Sequence, residues 1–425
     1  MSKSDSPTTS VQKRIVSSLF VSQSFFSASA IAAFTLSPII SSALSGSDNW
    51  VGLPNTVVLL GRAGFALPLG YLMDRIGRRL ALSGGYSMAV IGSAISVWAI
   101  VANSFPIFLL GALFLGMSRA AGDQSRYVGA EVFRLSRRAK VIGIIVSAGT
   151  IGAILGPLLV PASTTWMANL DLPEQAGPFI ISGVLMIFAT GAVFLFLRPD
   201  PKELGQAIAE LEAADNPQSV ENIAKEARPL SQIFSAPMVQ LAVLSMVIGF
   251  FVMAFLMVIT PLHMDHNNHS TTAISSVIMA HTLGMFGLSW LTGGLIDRFG
   301  RVPMIVAGTA VLAISCILAP ISLQVPILGL ALFLLGLGWN FTYVAGSSLL
   351  SDALASHERA RAQGASEGMV AVGAGLSSLS VGLFFAQGGF LLVSMTAMIF
   401  TLLLALATYW LVQKDRRIST PVPEG

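Results

Sequence analysis

Long apolar runs, following one another along nearly the whole chain, constrain this sequence more than any other feature. Each is about 20 residues, enough to cross roughly 30 Å of hydrocarbon as a helix. Lipid offers backbone N–H and C=O groups no partner, so a spanning segment satisfies them within itself by being helical. A membrane β-barrel would alternate polar and apolar residues, and these runs do not. Composition agrees: 54% of the residues are hydrophobic and 11% charged, against about 25% charged in soluble domains. The net charge of +3 reflects where basic residues sit relative to the membrane and does not point to nucleic acid. Cys316 is the single cysteine and lies inside an apolar run, so no internal disulfide is possible.

Twelve spans are expected, near 15–44, 52–73, 80–102, 105–130, 139–162, 178–197, 238–261, 272–295, 302–323, 326–350, 361–386 and 388–412. The long link 198–237 divides them six and six, and its Glu, Ala and Lys content suggests a surface helix. The expected domains are therefore a tail 1–14, a six-helix half 15–197, a linker 198–237, a six-helix half 238–412 and a tail 413–425. The first tail is polar and Ser-rich with no cleavage site after a short apolar core, so it is read as a cytoplasmic tail and not a signal peptide.

Basic residues favour cytoplasmic segments. With the N-terminus inside, the inner segments carry Lys3, Lys13, Arg14, Arg75, Arg78, Arg79, Arg134, Arg137, Arg138, Lys140, the linker bases, Arg298, Arg301, Arg359, Arg361, Lys414, Arg416 and Arg417. The outer loops carry no Lys or Arg, only acids and histidines. Both termini are thus expected in the cytoplasm.

The halves repeat one another. Gly70-Tyr71-Leu72-Met73-Asp74-Arg75-Ile76-Gly77-Arg78-Arg79 returns as Gly293-Gly294-Leu295-Ile296-Asp297-Arg298-Phe299-Gly300-Arg301. Further on, Arg138 to Gly143 matches Arg359 to Gly364, which sets Glu131 opposite Asp352 and Arg119 opposite Asn340. Such repeats suggest a transporter with its site near the bilayer midplane. Glycines permit tight turns, and Asp74 can meet basic residues or the positive end of a neighbouring helix, such as the span starting near Arg361.

These residues resemble the signature of the major facilitator superfamily, which lies between spans two and three. Gly70, Leu72, Asp74, Arg75, Gly77, Arg78 and Arg79 fit it. Gly293, Leu295, Asp297, Arg298, Gly300 and Arg301 fit it again before Val302 departs. The resemblance covers nearly the whole chain. It implies an all-α integral membrane fold of twelve transmembrane helices in two pseudo-symmetric six-helix halves, and a cytoplasmic latch released as the halves rock. Gly143, Gly152, Gly156 and Pro157 resemble the span-five pattern of exporters and antiporters, although Val160 stands where its last glycine belongs. Small residues there also serve ordinary close packing.

Ionisable groups inside a span are costly and mark function by default. Span four holds Arg119, Asp123 and Arg126, one turn apart in succession, with Glu131 near its cytoplasmic end. The first three can form a ladder; Glu131 is expected to pair with Arg75 or Arg78. Arg62, in mid-span two, needs a partner, and Asp123 lies at the right depth. Asp123 and Glu367 are both candidates for a protonating carboxylate, since burial raises an acid's pKa. Arg119 resembles the superfamily's span-four arginine, which implies proton coupling.

His263, Asp265, His266 and His269 cluster between spans seven and eight, and His281 follows in span eight. The cluster is either a polar surface loop or, if a bend gathers the imidazoles, a Zn²⁺ or Fe²⁺ site. His281 and His263 are candidate proton sensors.

The expectation is a secondary transporter in the inner cell membrane, exporting small organic compounds in exchange for protons by alternating access. It needs no cofactor and acts as a monomer. No Gly-x4-Gly-Lys-Ser/Thr phosphate loop and no nucleophile–base constellation appears in the chain, so neither a nucleotide-driven pump nor an enzyme is expected. Metal or chelate transport through the outer histidines, and a membrane sensor that kept the fold without transport, are the alternatives.

Overall fold

A computed structural model describes residues 7–215, 228–354 and 358–419. Lys3 and the linker residues Glu221, Lys225 and Glu226 lie outside the described residues. Among the described residues every regular element is helical. The first half comprises α1 (Pro7–Ser45), α2 (Leu53–Ile76), α3 (Arg78–Val101), α4 (Phe105–Glu131), α5 (Leu135–Ala168) and α6 (Gly177–Phe196). The linker contributes α7 (Pro201–Asp215) and the short α8 (Leu230–Ser235). Then come α9 (Pro237–His266), α10 (Thr271–Phe286), α11 (Ser289–Phe299), α12 (Arg301–Leu318), α13 (Val325–Asp352) and α14 (Arg359–Ser419).

Ten helices are long and apolar enough to cross a membrane. One of them, α14, runs 61 residues, about 90 Å at 1.5 Å per residue, which is too long for a single crossing. Non-helical Gly388 and Gly389 break it into two spans. The pair α10 and α11, bent by 43°, is a further broken span. Counted this way, the described residues make twelve crossings.

Pro54, Pro106, Pro178 and Pro326 stand in the first turns of their helices, where proline's missing N–H costs nothing. Several turns close through left-handed residues: Gly46, Asn103, Asp171 and Asn268 have φ of 69°, 49°, 55° and 59°. All four lie in links from an odd-numbered span to the next even one. Glycine, asparagine and aspartate tolerate that conformation best. Span seven was expected to stop near 261, but α9 carries Pro261 inside it and continues to His266. Membrane helices accommodate an interior proline because neighbouring groups satisfy the freed carbonyl.

Lipid tails are as apolar as leucine, so helices associate here through close packing of small residues. A Cβ placed on Gly61 would collide with the Leu113 carbonyl, and one on Gly116 with that of Val58, so α2 and α4 touch backbone to backbone. The repeat reproduces this contact: Gly284 sits on the Phe333 carbonyl and Gly336 on that of His281, joining α10 to α13. Large apolar side chains left outside, such as Leu67, Tyr71, Leu406 and Trp410, are suited to lipid.

The chain divides into two compact units, Met1–Val220 with Ser270–Met279 and Glu221–His269 with Ala280–Gly425.

Candidate functional site

The repeated motif folds around one backbone device. Gly77 joins α2 to α3 at φ 89° and ψ 164°, and Gly300 joins α11 to α12 at φ 91° and ψ 165°. Only glycine adopts that region readily. Gly70 and Gly293, by contrast, have nothing within 4 Å of a would-be Cβ, so neither close approach nor turning requires glycine there.

The turn at Gly77 aims Arg78 at Glu131. Nε and Nη2 donate to the two carboxylate oxygens at 3.0 and 2.8 Å, while Nη1 donates to Asp74 Oδ1 and to the Met73 carbonyl, both at 3.0 Å. The bare N–H groups opening α3 go to Asp200, whose two oxygens accept from Arg78 N and Arg79 N at 3.0 Å each. Lys202 Nζ closes the circle on the Asp74 carbonyl at 2.7 Å. Arg75 is exposed, and Arg79 lies over the Phe194 ring at 5.5 Å. In the second half Arg301 Nε stands 2.7 Å from Asp352 Oδ2. Asp297 and Arg298 are exposed, with the Arg298 guanidinium 5.2 Å over Phe299.

Inside the first unit, Arg62 of α2 meets Asp123 of α4 at 2.6 Å, each side chain about a third exposed (35% and 36%). The ladder expected along α4 does not form. Asp123 turns to Arg62, and the Arg126 guanidinium lies over Tyr127 at 4.9 Å with its Nε unpartnered. The (i, i+3) spacing allows such pairs, but Arg62 reaches Asp123 from the facing helix. Beside the pair, Gln23 Oε1 of α1 accepts from Ser125 at 3.0 Å and from the Tyr86 hydroxyl at 3.4 Å. Arg119 lines a cavity walled by Phe26, Phe34, Phe108 and Phe179.

The exporter-type residues act through packing. Cβ atoms on Gly152 and Gly156 would strike Ser27, Ala28 and Ile31, so α5 lies tightly on α1. Gly143 faces open space, and Pro157 lies within α5.

In the second unit, Asn340, opposite Arg119 in the repeat, holds the broken span together. Its amide donates to the Met285 carbonyl at 2.7 Å and to Ser289 Oγ at 2.9 Å, and its oxygen accepts from Thr292 at 2.5 Å. Those three residues flank the break at Gly287. Glu367 is exposed and accepts from the Tyr343 hydroxyl at 2.5 Å. His281 is fully buried, with Nδ1 2.9 Å from the Leu332 carbonyl. A carbonyl only accepts, so Nδ1 carries the proton and the ring ties α10 to α13. That packed position is not the cavity-facing one expected of a proton sensor.

The outer histidines His263 and His266 pack against aromatic rings and share Phe385. His263 stacks flat on Phe390 with ring centroids 4.3 Å apart, and His266 lies 5.9 Å from Phe385. Asp265 occupies the same last turn of α9, and His269 follows in the link beyond. Among the described residues no group of three His, Cys, Asp or Glu side chains could hold a metal ion. His263 and His266 are one turn apart on α9 and spend their rings on Phe390 and Phe385.

Several partners escaped the sequence. Asp200 betrays itself only as a lone acid between two prolines. Arg228 forks onto Glu358 at 2.7 Å through both Nε and Nη2, a pairing 130 residues apart with no local signal. Gln23 and Tyr343 are polar groups in apolar runs, a signal that was available.

The description of the Major Facilitator Superfamily matches residues 19–266 and 241–425. The chain is 30% identical to an uncharacterized MFS-type transporter, YddS, of Bacillus subtilis over 400 residues, covering 94% of this chain and 91% of that one. It is 29% identical to the riboflavin transporter RfnT of Brucella anthropi over 357 residues, 84% and 85% of the two chains. The fold is similar to that of a bacterial homolog of the human lysosomal transporter Spinster, with a TM-score of 0.71 at 15% identity over 97% and 99% of the chains. Helices, repeated motif and relatives agree that the chain belongs to the Major Facilitator Superfamily and is a multi-pass membrane transporter, not an enzyme.

Proposed function

We propose that this transporter exports small organic compounds in exchange for protons by alternating access, with Asp123 as the proton-carrying group. The observation that supports this reading is the Arg62–Asp123 pair. Its members touch at 2.6 Å inside the spans, yet each remains about a third exposed (35% and 36%). A pair that water reaches can be opened by protonating the carboxylate, which leaves Arg62 free to move. Arg119 and Arg126 share the helix and set the local field, while Glu367, held by Tyr343, is the competing carboxylate. The riboflavin transporter among the relatives supports an organic substrate.

The rest of the proposal follows the charge pattern. Both termini face the cytoplasm, the protein resides in the inner cell membrane as a monomer, and the halves 15–197 and 238–412, joined by the linker 198–237, are its functional bodies. The motif residues, with Arg78 bonded to Asp74 and Glu131, serve as the cytoplasmic latch. The outer histidines lend no support to metal transport.

Proteoliposomes with an imposed proton gradient and an internal pH dye test this. Organic substrates should discharge the gradient in the wild type and not in Asp123→Asn, while Glu367→Gln retains coupling. Coupling that survives Asp123→Asn would remove Asp123 from the role.

A further inference from the structure

We infer that the cavity in the first unit binds an aromatic carboxylate, with Arg119 as the anchor of its acid group. This names the substrate class of the transporter and rests on the transport reading.

Charge carries the argument. Three ionised groups stand together in α2 and α4: Arg62, Arg119 and Asp123. Asp123 is committed to Arg62 at 2.6 Å. Among the described residues no hydrogen bond or ion pair holds Arg119, so the cluster keeps one uncompensated positive charge. A guanidinium does not shed its proton, and its planar fork matches a carboxylate. Ser29 and Ser96, also in the lining, are occupied: Ser29 shares a hydrogen bond with Ser182 at 2.7 Å, and Ser96 donates to the Gly92 carbonyl at 2.9 Å. Arg119 is the one charged group of that lining.

The walls select a ring. Phe108 and Phe179 meet edge to face with centroids 5.5 Å apart, and Phe26 stacks on Tyr86 at 5.7 Å. These rings are held by their own contacts, so a planar guest meets surfaces already in place. The space open to water there is about 60 Å³, room for about four waters, and it is not closed over, since Arg119 is exposed, so the acid end of a guest can extend beyond it. A lipophilic cation of the same size would meet Arg119 as a like charge.

Labelled benzoate binding to the purified full-length protein, at neutral pH and with no gradient, tests the inference. Benzamide, the neutral isostere, should compete at least about tenfold more weakly than benzoate, as expected for a lost charge-assisted hydrogen bond. Phenyltrimethylammonium and acetate should not compete. Arg119→Gln should lose the preference for benzoate over benzamide, and Arg119→Lys should keep part of it; both are checked for monodispersity first. Equal competition by benzamide or by the cation, an undiminished preference in Arg119→Gln, or no benzoate binding by the wild type would overturn the inference. Acetate competing as well as benzoate would overturn its aromatic part. The two readings fail separately. Benzoate binding without proton movement refutes proton-coupled export alone, and proton movement driven only by cations refutes the aromatic acid alone.

Discussion

Arg78 forks onto Glu131 through two hydrogen bonds, at 3.0 and 2.8 Å. Its counterpart in the repeat, Arg301, approaches Asp352 to 2.7 Å through Nε alone, and that N–H is not aligned on any acceptor. The two pairs occupy equivalent places and differ in shielding: Glu131 is 28% exposed and Asp352 54%. Forked, shielded pairs are the strong ones, and exposed single contacts contribute about 0–1 kcal/mol. Glu131→Gln should therefore destabilise the protein by about 1–3 kcal/mol, and Asp352→Asn by less than about 1 kcal/mol. Thermal unfolding of the two variants in one detergent measures this; equal losses would contradict it.

Gly77 and Gly300 share a backbone conformation but not surroundings. A Cβ on Gly77 would stand 2.5 Å from Asp200 Oδ2, whereas one on Gly300 would meet only Pro303 Cδ at 3.7 Å. Alanine at either site costs about 1–3 kcal/mol of backbone strain. Gly77→Ala adds a collision with the group that caps α3, so it should be the more damaging change. In the background of Asp200→Ala, Gly77→Ala should cost no more than Gly300→Ala does alone. A strictly additive double variant would show that the collision is relieved some other way.

The fold was legible because lipid removes most alternatives: an apolar run of that length has to be a helix, and two copies of one motif announce two halves. The Arg62–Asp123 pair was legible for the same reason, since a charge within a span demands a partner at its own depth. The failures have a common cause. The break in span eight is bridged by Asn340, more than 50 residues away along the chain, and Gly287 is its one local signal. Local spacing on α4 suggested a ladder, but Asp123 answers to the facing helix. Pro261 looked like an end and was not one, so His263 and His266 belong to the last turns of α9 and pack on Phe390 and Phe385.

Asn340 makes three hydrogen bonds across the bend between α10 and α11, to Met285, Ser289 and Thr292. No other residue type of its size offers both a forked donor and an acceptor. Asn340→Leu removes those three bonds, at about 0.5–1.5 kcal/mol each, while Ser289 and Thr292 keep their contacts to the Met285 and Leu288 carbonyls at 3.3 and 3.2 Å. Hydrogen exchange should accelerate across 281–299 and remain unchanged in α2 and α4. An unaltered exchange pattern would mean that the bend is held by other contacts.

Arg228 offers a pH test outside the spans. Its forked bonds to Glu358 hold the guanidinium pKa above an already high ordinary value, more than burial lowers it. A raised folded-state pKa contributes stability below the unfolded pKa and loses it only as pH rises through the folded one. Both values lie in strong alkali. The stability difference between wild type and Arg228→Gln should thus be constant from pH 6 to about pH 10. A difference that shrank over that window would assign the contact to some other titrating group.

Arg62 and Asp123 should be worth more to each other than to the protein. Removing one member leaves a lone charge within the spans, which costs about 3–5 kcal/mol for a fully buried pair. With each side chain about a third exposed (35% and 36%), solvent screening reduces that to about 1–2 kcal/mol. Asp123→Asn leaves Arg62 and Arg119 as like charges with no acid between them, so adding Arg62→Gln should make the protein more stable than Asp123→Asn alone. Thermal unfolding of the single and double variants in one detergent measures this. The double variant should recover part of what Asp123→Asn alone loses. A double variant no better than Asp123→Asn alone would mean that packing, and not charge, governs the stability of this site.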